Sequence, residues 1–167
     1  MSYRPPKVSN ETGYDTRRIG AIVRFVFREL ELDGRHVMVK VKHHTGGHAY
    51  QGRFYPQARR QGRFVRNGWG EYNEVKPSVP TGVAHLLVCR VGKPGVYPKR
   101  VHVYKRKDAP APWVVENWQE ALVSITGHEA MHLRQWQTKP RHVRGFFNEV
   151  DTEWAALRML TAWRKTQ

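Results

Sequence analysis

His128, Glu129 and His132 stand in the run His-Glu-Ala-Met-His. Residues four apart share one face of an α-helix, so the two imidazoles can reach a single metal ion if this stretch is helical. Glu129 falls near the same face, where a carboxylate can take a proton from a metal-associated water. Zinc lowers the pKa of such a water to about 7, so a nearby base can generate hydroxide at neutral pH. Hydrolysis of an amide then needs a bound carbonyl and a proton for the leaving amine, which the same glutamate can return. The competing reading is an ordinary helix with two satisfied histidines.

A catalytic zinc site takes three protein ligands and keeps one open position. Two downstream regions offer the third ligand. One is Asn148-Glu149-Val150-Asp151-Thr152-Glu153, in which Glu149 and Glu153 lie one helical turn apart. One of the two acids can bind metal while the other hydrogen-bonds a ligand histidine. Acids here also suit the positive end of a helix dipole without any metal. The other candidate is His142, just past Pro140, but Lys139, Arg141 and Arg144 surround it and disfavour a cation.

The HEAMH helix followed by an acidic helix resembles the zincin superfamily of metallopeptidases. NEVDTE is similar to the NExxSD of thermolysin-like gluzincins, and EVDTEWAA to the ExxADxFA segment of ImmA/IrrE-like peptidases. Both resemblances imply Glu149 as third ligand and Glu153 as the acid that orients a histidine. The chain departs from them in carrying Glu where those families have Asp or Asn, which keeps Glu153 a rival for the ligand. SprT-type proteases, with a third histidine, are the second resemblance, although His142 arrives early and lacks the His-Gly step. The metzincin position holds Thr138. These likenesses cover about residues 121–160. They imply a zinc-dependent endopeptidase with one Zn2+ per chain, acting on a protein or peptide substrate. They also imply that an extended substrate pairs with a sheet edge, for which 84–91 and 101–104 are the candidates.

These residues need a scaffold. Apolar residues at Ile19, Ile22, Val23, Val26, Phe27 and Leu30 predict a helix capped by Asp15 or Thr16 and stopped near Asp33-Gly34. Val37, Val39 and Val41 alternate with Met38, Lys40 and Lys42 and predict a strand. Further strands are expected at 50–55, 84–91 and 101–104, the last two paired across the turn at 92–95. The Pro110 and Pro112 break predicts a helix from about Trp113 to Trp136, closed by Lys139-Pro140. A last helix is expected from about Phe146 to Trp163, with Val150, Trp154, Leu157 and Leu160 apolar. The fold class expected is α+β: N-terminal helix, small mixed sheet, active-site helix, C-terminal helix. Residues 1–14 read as a flexible lead-in, and 15–167 as one domain.

The 167 residues are 40% hydrophobic, enough for a core and too many for general disorder. No apolar run spans a membrane, the N-terminus lacks the pattern of a secretory signal, and the lone Cys89 excludes an internal disulfide. A cytoplasmic protein is the expectation. Net charge is +15, which favours an anionic partner. From Arg35 to Gly70 there is no acid, and Arg53, Arg59, Arg60, Arg63 and Arg66 are interleaved with Tyr50, Phe54, Tyr55, Phe64 and Trp69. That mixture suits single-stranded nucleic acid, so a basic nucleic-acid-binding module with an inactive zincin-like site is the alternative function. Under the peptidase reading the same charge points to proteins bound to nucleic acid as substrates, and hydrolysis of a non-peptide substrate is a third reading. His43, His44 and His48 form either a second metal cluster or, with Gly46-Gly47 between them, an exposed flexible loop.

Overall fold

The computed structural model describes residues 3–44, 50–56, 58, 63–66, 72–75, 79–103, 105–138 and 148–167. Its architecture is α+β, three helices against a small mixed sheet. Lys7–Glu11 forms β1, Thr16–Glu29 α1, Val37–His43 β2, Tyr50–Tyr55 β3, Arg63–Arg66 β4 and Tyr72–Val75 β5. His85–Val91 forms β6, Lys99–Arg100 β7, Val114–Val115 β8, Trp118–Thr138 α2 and Glu149–Arg164 α3.

The main sheet runs β1-β2-β6-β3, with β1, β2 and β6 parallel and β3 antiparallel at the edge. Strand alternation gives each face its own neighbours. Val37, Val39, Val41, Leu87, Cys89 and Val91 turn into the core with the helices. Leu86 and Val88 turn the other way, onto Ala58 and Met38. Helix α1 begins as expected: Asp15 accepts from the Arg18 N–H, and Ile19, Ile22, Val23, Val26 and Phe27 are buried.

Four expectations need correction. Lys7–Glu11 is no flexible lead-in. It pairs in parallel with β2 from Lys7↔Met38 to Glu11↔Lys42, and Lys42 bridges Glu11 at 3.2 Å. The expected strand at 101–104 does not pair with β6. Val101 and Val103 are buried without a ladder, and the chain just before them, β7, pairs antiparallel with β8 instead. Helix α2 starts at Trp118, not Trp113, because Asn117 supplies the cap: its side-chain oxygen accepts from the Glu120 N–H at 2.9 Å. In α3 Trp154 is not a core residue; it is exposed and donates through Nε1 to the Asp108 carbonyl at 2.7 Å.

Helices α2 and α3 are held together at both ends and in the middle. Arg164 gives Glu120 a two-point ion pair, Nε to Oε1 at 2.9 Å and Nη2 to Oε2 at 2.7 Å. Midway, a side chain at Gly127 would meet Met159 at 2.9 Å and the Ala156 backbone at 3.3 Å, so glycine sets the closeness of the two helices. Among the described residues no helix is long and apolar enough to cross a membrane.

Candidate metal centre

The close approach at Gly127 comes one residue before His128, and the start of α3 lies beside His128 and His132. The His128 Nε2 lies 3.3 Å from one oxygen of Glu149, and the His132 Nε2 lies 3.3 Å from the other. One donor atom from each of the three residues falls within 4.8 Å of the others, and among the described residues no other such group occurs. These separations can be tested against zinc. Ligand atoms 2.0–2.1 Å from a tetrahedral ion stand about 3.3–3.4 Å apart. The two 3.3 Å approaches end on different oxygens of Glu149, so they are contacts between the side chains themselves and not edges of one tetrahedron. Two imidazoles and one carboxylate within 4.8 Å are a donor set that zinc accepts.

Electrostatics favours a cation in the same place. Glu129, Glu149 and Glu153 converge here, in a chain with only 14 acids. Glu129 and Glu153 are 5% and 6% exposed, and buried carboxylates require a compensating positive charge. Burial drives the Glu129 carboxyl above the usual range, although His128, His132 and Arg53 oppose it. Hydrogen bonds from His128 and His132 hold Glu149 far below that range. Burial pulls the His128 imidazole down, but the Glu149 bond and the charges of Glu129, Glu149 and Glu153 outweigh it and raise its pKa.

One buried amide ties the ligands into a unit. Gln135 Oε1 accepts from the Asn148 N–H at 3.1 Å and lies 3.3 Å from His132 Nδ1, while Nε2 donates to the Asn148 carbonyl at 3.0 Å. Asn148 is itself the cap of α3, accepting from the Val150 and Asp151 N–H groups. Gln135 therefore fixes the residue before Glu149 and, as acceptor for the Nδ1 proton of His132, leaves Nε2 free to bind metal. The spacing of HExxH pointed to the helix face but not to this glutamine, because its partner lies across a tertiary contact.

Strand β3 passes over the site. A cleft of about 450 Å³ is lined by Gly52, Arg53 and Phe54 together with His128, Glu129, His132 and Glu149. A side chain at Gly52 would collide with the Glu129 carboxylate. Glycine inside a strand is a readable sign of close backbone approach, and that is its reason here. Buried hydroxyls fix the helix under the strand: Tyr50 and Trp113 both bond Ser124, at 2.9 and 3.2 Å.

The structure brings together four of the expected site residues, His128, Glu129, His132 and Glu149. Glu153 lines the adjoining part of the cleft with Tyr50, His128 and Glu149, outside the three-donor group. His142 lies outside the described residues. The sheet edge beside the site is β3; β6 is interior, between β2 and β3, so neither strand named as the substrate edge occupies that place. Arg53 lines the metal cleft. Arg59 and Arg60 lie outside the described residues, as do the side chains of Arg63 and Arg66. His43 belongs to β2 rather than an exposed loop, and its Nε2 accepts from the Gly13 N–H at 3.3 Å. His44 follows it, with its backbone N–H on Val91, and His48 lies outside the described residues. No protein-family model, curated protein or solved structure matches this chain.

Proposed function

We propose that this chain is a zinc-dependent metallopeptidase of zincin-like architecture that hydrolyses internal peptide bonds. The observation that carries the reading is the pair of 3.3 Å approaches from His128 and His132 to the two oxygens of Glu149, with the buried carboxyl of Glu129 in the same cleft. His128, His132 and Glu149 would hold the metal, and Glu153 lies one turn from Glu149 beside them. Zinc bound there would polarise the substrate carbonyl and acidify water.

The chain's own groups do the rest. The outer edge of β3 offers main-chain donors and acceptors to an extended peptide, and Gly52 lets that strand lie against Glu129. Glu129 takes the proton of the attacking water and passes it to the departing amine. Burial raises its pKa above the ordinary carboxylate value, the direction that makes a carboxylate a better base. Gln135 keeps His132 and the start of α3 in register throughout.

The test is hydrolysis of a mixed peptide library by the zinc-loaded protein and by Glu129→Gln. The parent is expected to cleave, and the variant to lose at least about 100-fold in rate while keeping its metal. Equal rates in the two proteins, or no cleavage by the parent, would contradict the proposal.

A further inference from the structure

We propose that a cation-rimmed cavity beside the metal cleft recognises an acidic stretch of the polypeptide substrate, which rests on the peptidase reading above. Residues 101–103 and 105–113 lie beyond a neck closed by β7 and β8 and by the Val101 N–H to Trp113 carbonyl bond of 2.8 Å. Val101, Val103 and Trp113 anchor this stretch in the core, and the Trp154 Nε1 bond to the Asp108 carbonyl holds its far end on α3. The wall is therefore built into the fold.

This stretch encloses a cavity of about 690 Å³. Val101, Val103, Ala109 and Pro110 give it an apolar lining, and Arg100, Lys105 and Arg106 supply three exposed cations. None of the three forms an ion pair among the described residues. From Lys93 to Lys107 the sequence contains no acid. Cations over an apolar lining match carboxylate side chains flanked by apolar ones. A phosphodiester backbone would satisfy the cations and leave the lining without contact.

The cavity shares a wall with the candidate metal cleft. Val101, His102 and Val103 line both it and the adjoining cleft of about 340 Å³ that contains Gly52, His128 and Glu149. Arg100, Lys105 and Arg106 set the charge of the cavity. An acidic residue is attracted to it at a distance from the scissile bond, which favours one register of the substrate.

The experiment uses the full chain carrying Glu129→Gln, so that binding is read without cleavage. Fluorescein-labelled peptides that differ only in a Glu-Leu-Asp or a Gln-Leu-Asn segment are titrated and followed by anisotropy, together with a single-stranded oligonucleotide of the same charge as the acidic peptide. The acidic peptide is expected to bind about tenfold tighter than its amide counterpart. Arg100→Glu, Lys105→Glu and Arg106→Glu together should erase the difference. Lys7→Glu, Arg17→Glu and Arg24→Glu, an equal change of net charge elsewhere, should leave most of it. If the first triple variant does not fold, the corresponding Gln substitutions replace it.

Equal affinity for both peptides, or equal loss in both triple variants, would overturn the proposal. So would an oligonucleotide that displaces the acidic peptide and depends on the same three cations, since the cavity would then serve nucleic acid. The active parent separates this outcome from the peptidase reading. Hydrolysis of both peptides with the same kcat/KM removes the cavity's role and leaves the peptidase intact. Selective binding without any hydrolysis by the parent does the reverse.

Discussion

Helices α1 and α2 use polar residues in opposite ways. In α1 the buried positions are Ile19, Ile22, Val23, Val26, Phe27 and Gly20, while Arg17, Arg24 and Arg28 face solvent. That division is what any helix on the surface of a core requires. Helix α2 is buried on most sides and takes Glu120, Ser124, Thr126, Glu129, His132 and Gln135 inside with its apolar residues. A buried polar group costs free energy unless something satisfies it, and most of these have a definite partner. Glu120 has Arg164, Ser124 has Tyr50 and Trp113, Thr126 has Cys89 at 3.7 Å, and Gln135 has Asn148. The polar residues of α1 keep the protein in water; those of α2 hold particular atoms in place. Function concentrates where residue type and burial disagree.

Substitution at Gln135 should break this contrast most sharply. Gln135→Leu removes both bonds to Asn148 and the acceptor facing His132. Zinc affinity should fall about 10- to 100-fold, and stability by about 1–3 kcal/mol as the Asn148 backbone groups lose their partners. Competition with a chromogenic chelator and a denaturant titration measure the two effects. Gln135→Glu keeps the acceptor oxygen and should recover part of the affinity. An unchanged zinc affinity in Gln135→Leu would reduce the residue to packing.

The two helical glycines sharpen the comparison further. Gly20→Ala gains about 0.5–1 kcal/mol of helix propensity, because the added methyl meets only the end of the flexible Arg24 side chain, at 3.1 Å. Gly127→Ala gains the same propensity, but its methyl presses on Met159 and the Ala156 backbone. Overpacking of about 1–3 kcal/mol should outweigh the gain. Thermal melts should therefore move up for Gly20→Ala and down for Gly127→Ala, with zinc affinity also lowered in the second. Shifts of the same sign would mean that the two helices are not gripped at Gly127.

The smallest effect concerns Glu120. Burial alone would raise its pKa, but the bonds from Arg164 and from the Glu116 N–H bring it below the ordinary carboxylate value. Its contribution is thus complete above the unfolded value and is lost as pH falls through the lowered folded one. Arg164→Met should cost less than about 1 kcal/mol at neutral pH, since the guanidinium is largely in water. The Tm gap between parent and variant should close in acid, below about pH 4.3. A gap that persists there would show that Arg164 acts through its stem rather than its charge.

The contrast also explains what was legible. Helix α1 and β2 could be read because their burial follows period, 3.6 in the first and two in the second, and β6 because it is a continuous apolar run. Lys7–Glu11 could not, since Lys-Val-Ser-Asn-Glu has one apolar residue and becomes a strand only through β2. The start of α2 was misplaced because Pro112 is a strong breaker, whereas the Asn117 and Glu120 pair that caps the helix is a weaker signal. Of the site, HExxH is local and was visible, whereas spacing left Glu149 and Glu153 as alternatives and only the family resemblance favoured Glu149. Gln135 and Gly127 could not be found, because each matters only for what another helix brings to it.

The central claim is the three-residue metal site, and zinc stoichiometry tests it most directly. The parent, His132→Ala, Glu149→Ala and Glu153→Ala would each be supplied with zinc, dialysed against a weak chelator and analysed by elemental mass spectrometry against protein concentration. About one zinc per chain is expected in the parent and in Glu153→Ala, with retention lost in His132→Ala and Glu149→Ala. A parent that retains no zinc, or a Glu149→Ala variant that retains it as well as the parent, would contradict the account.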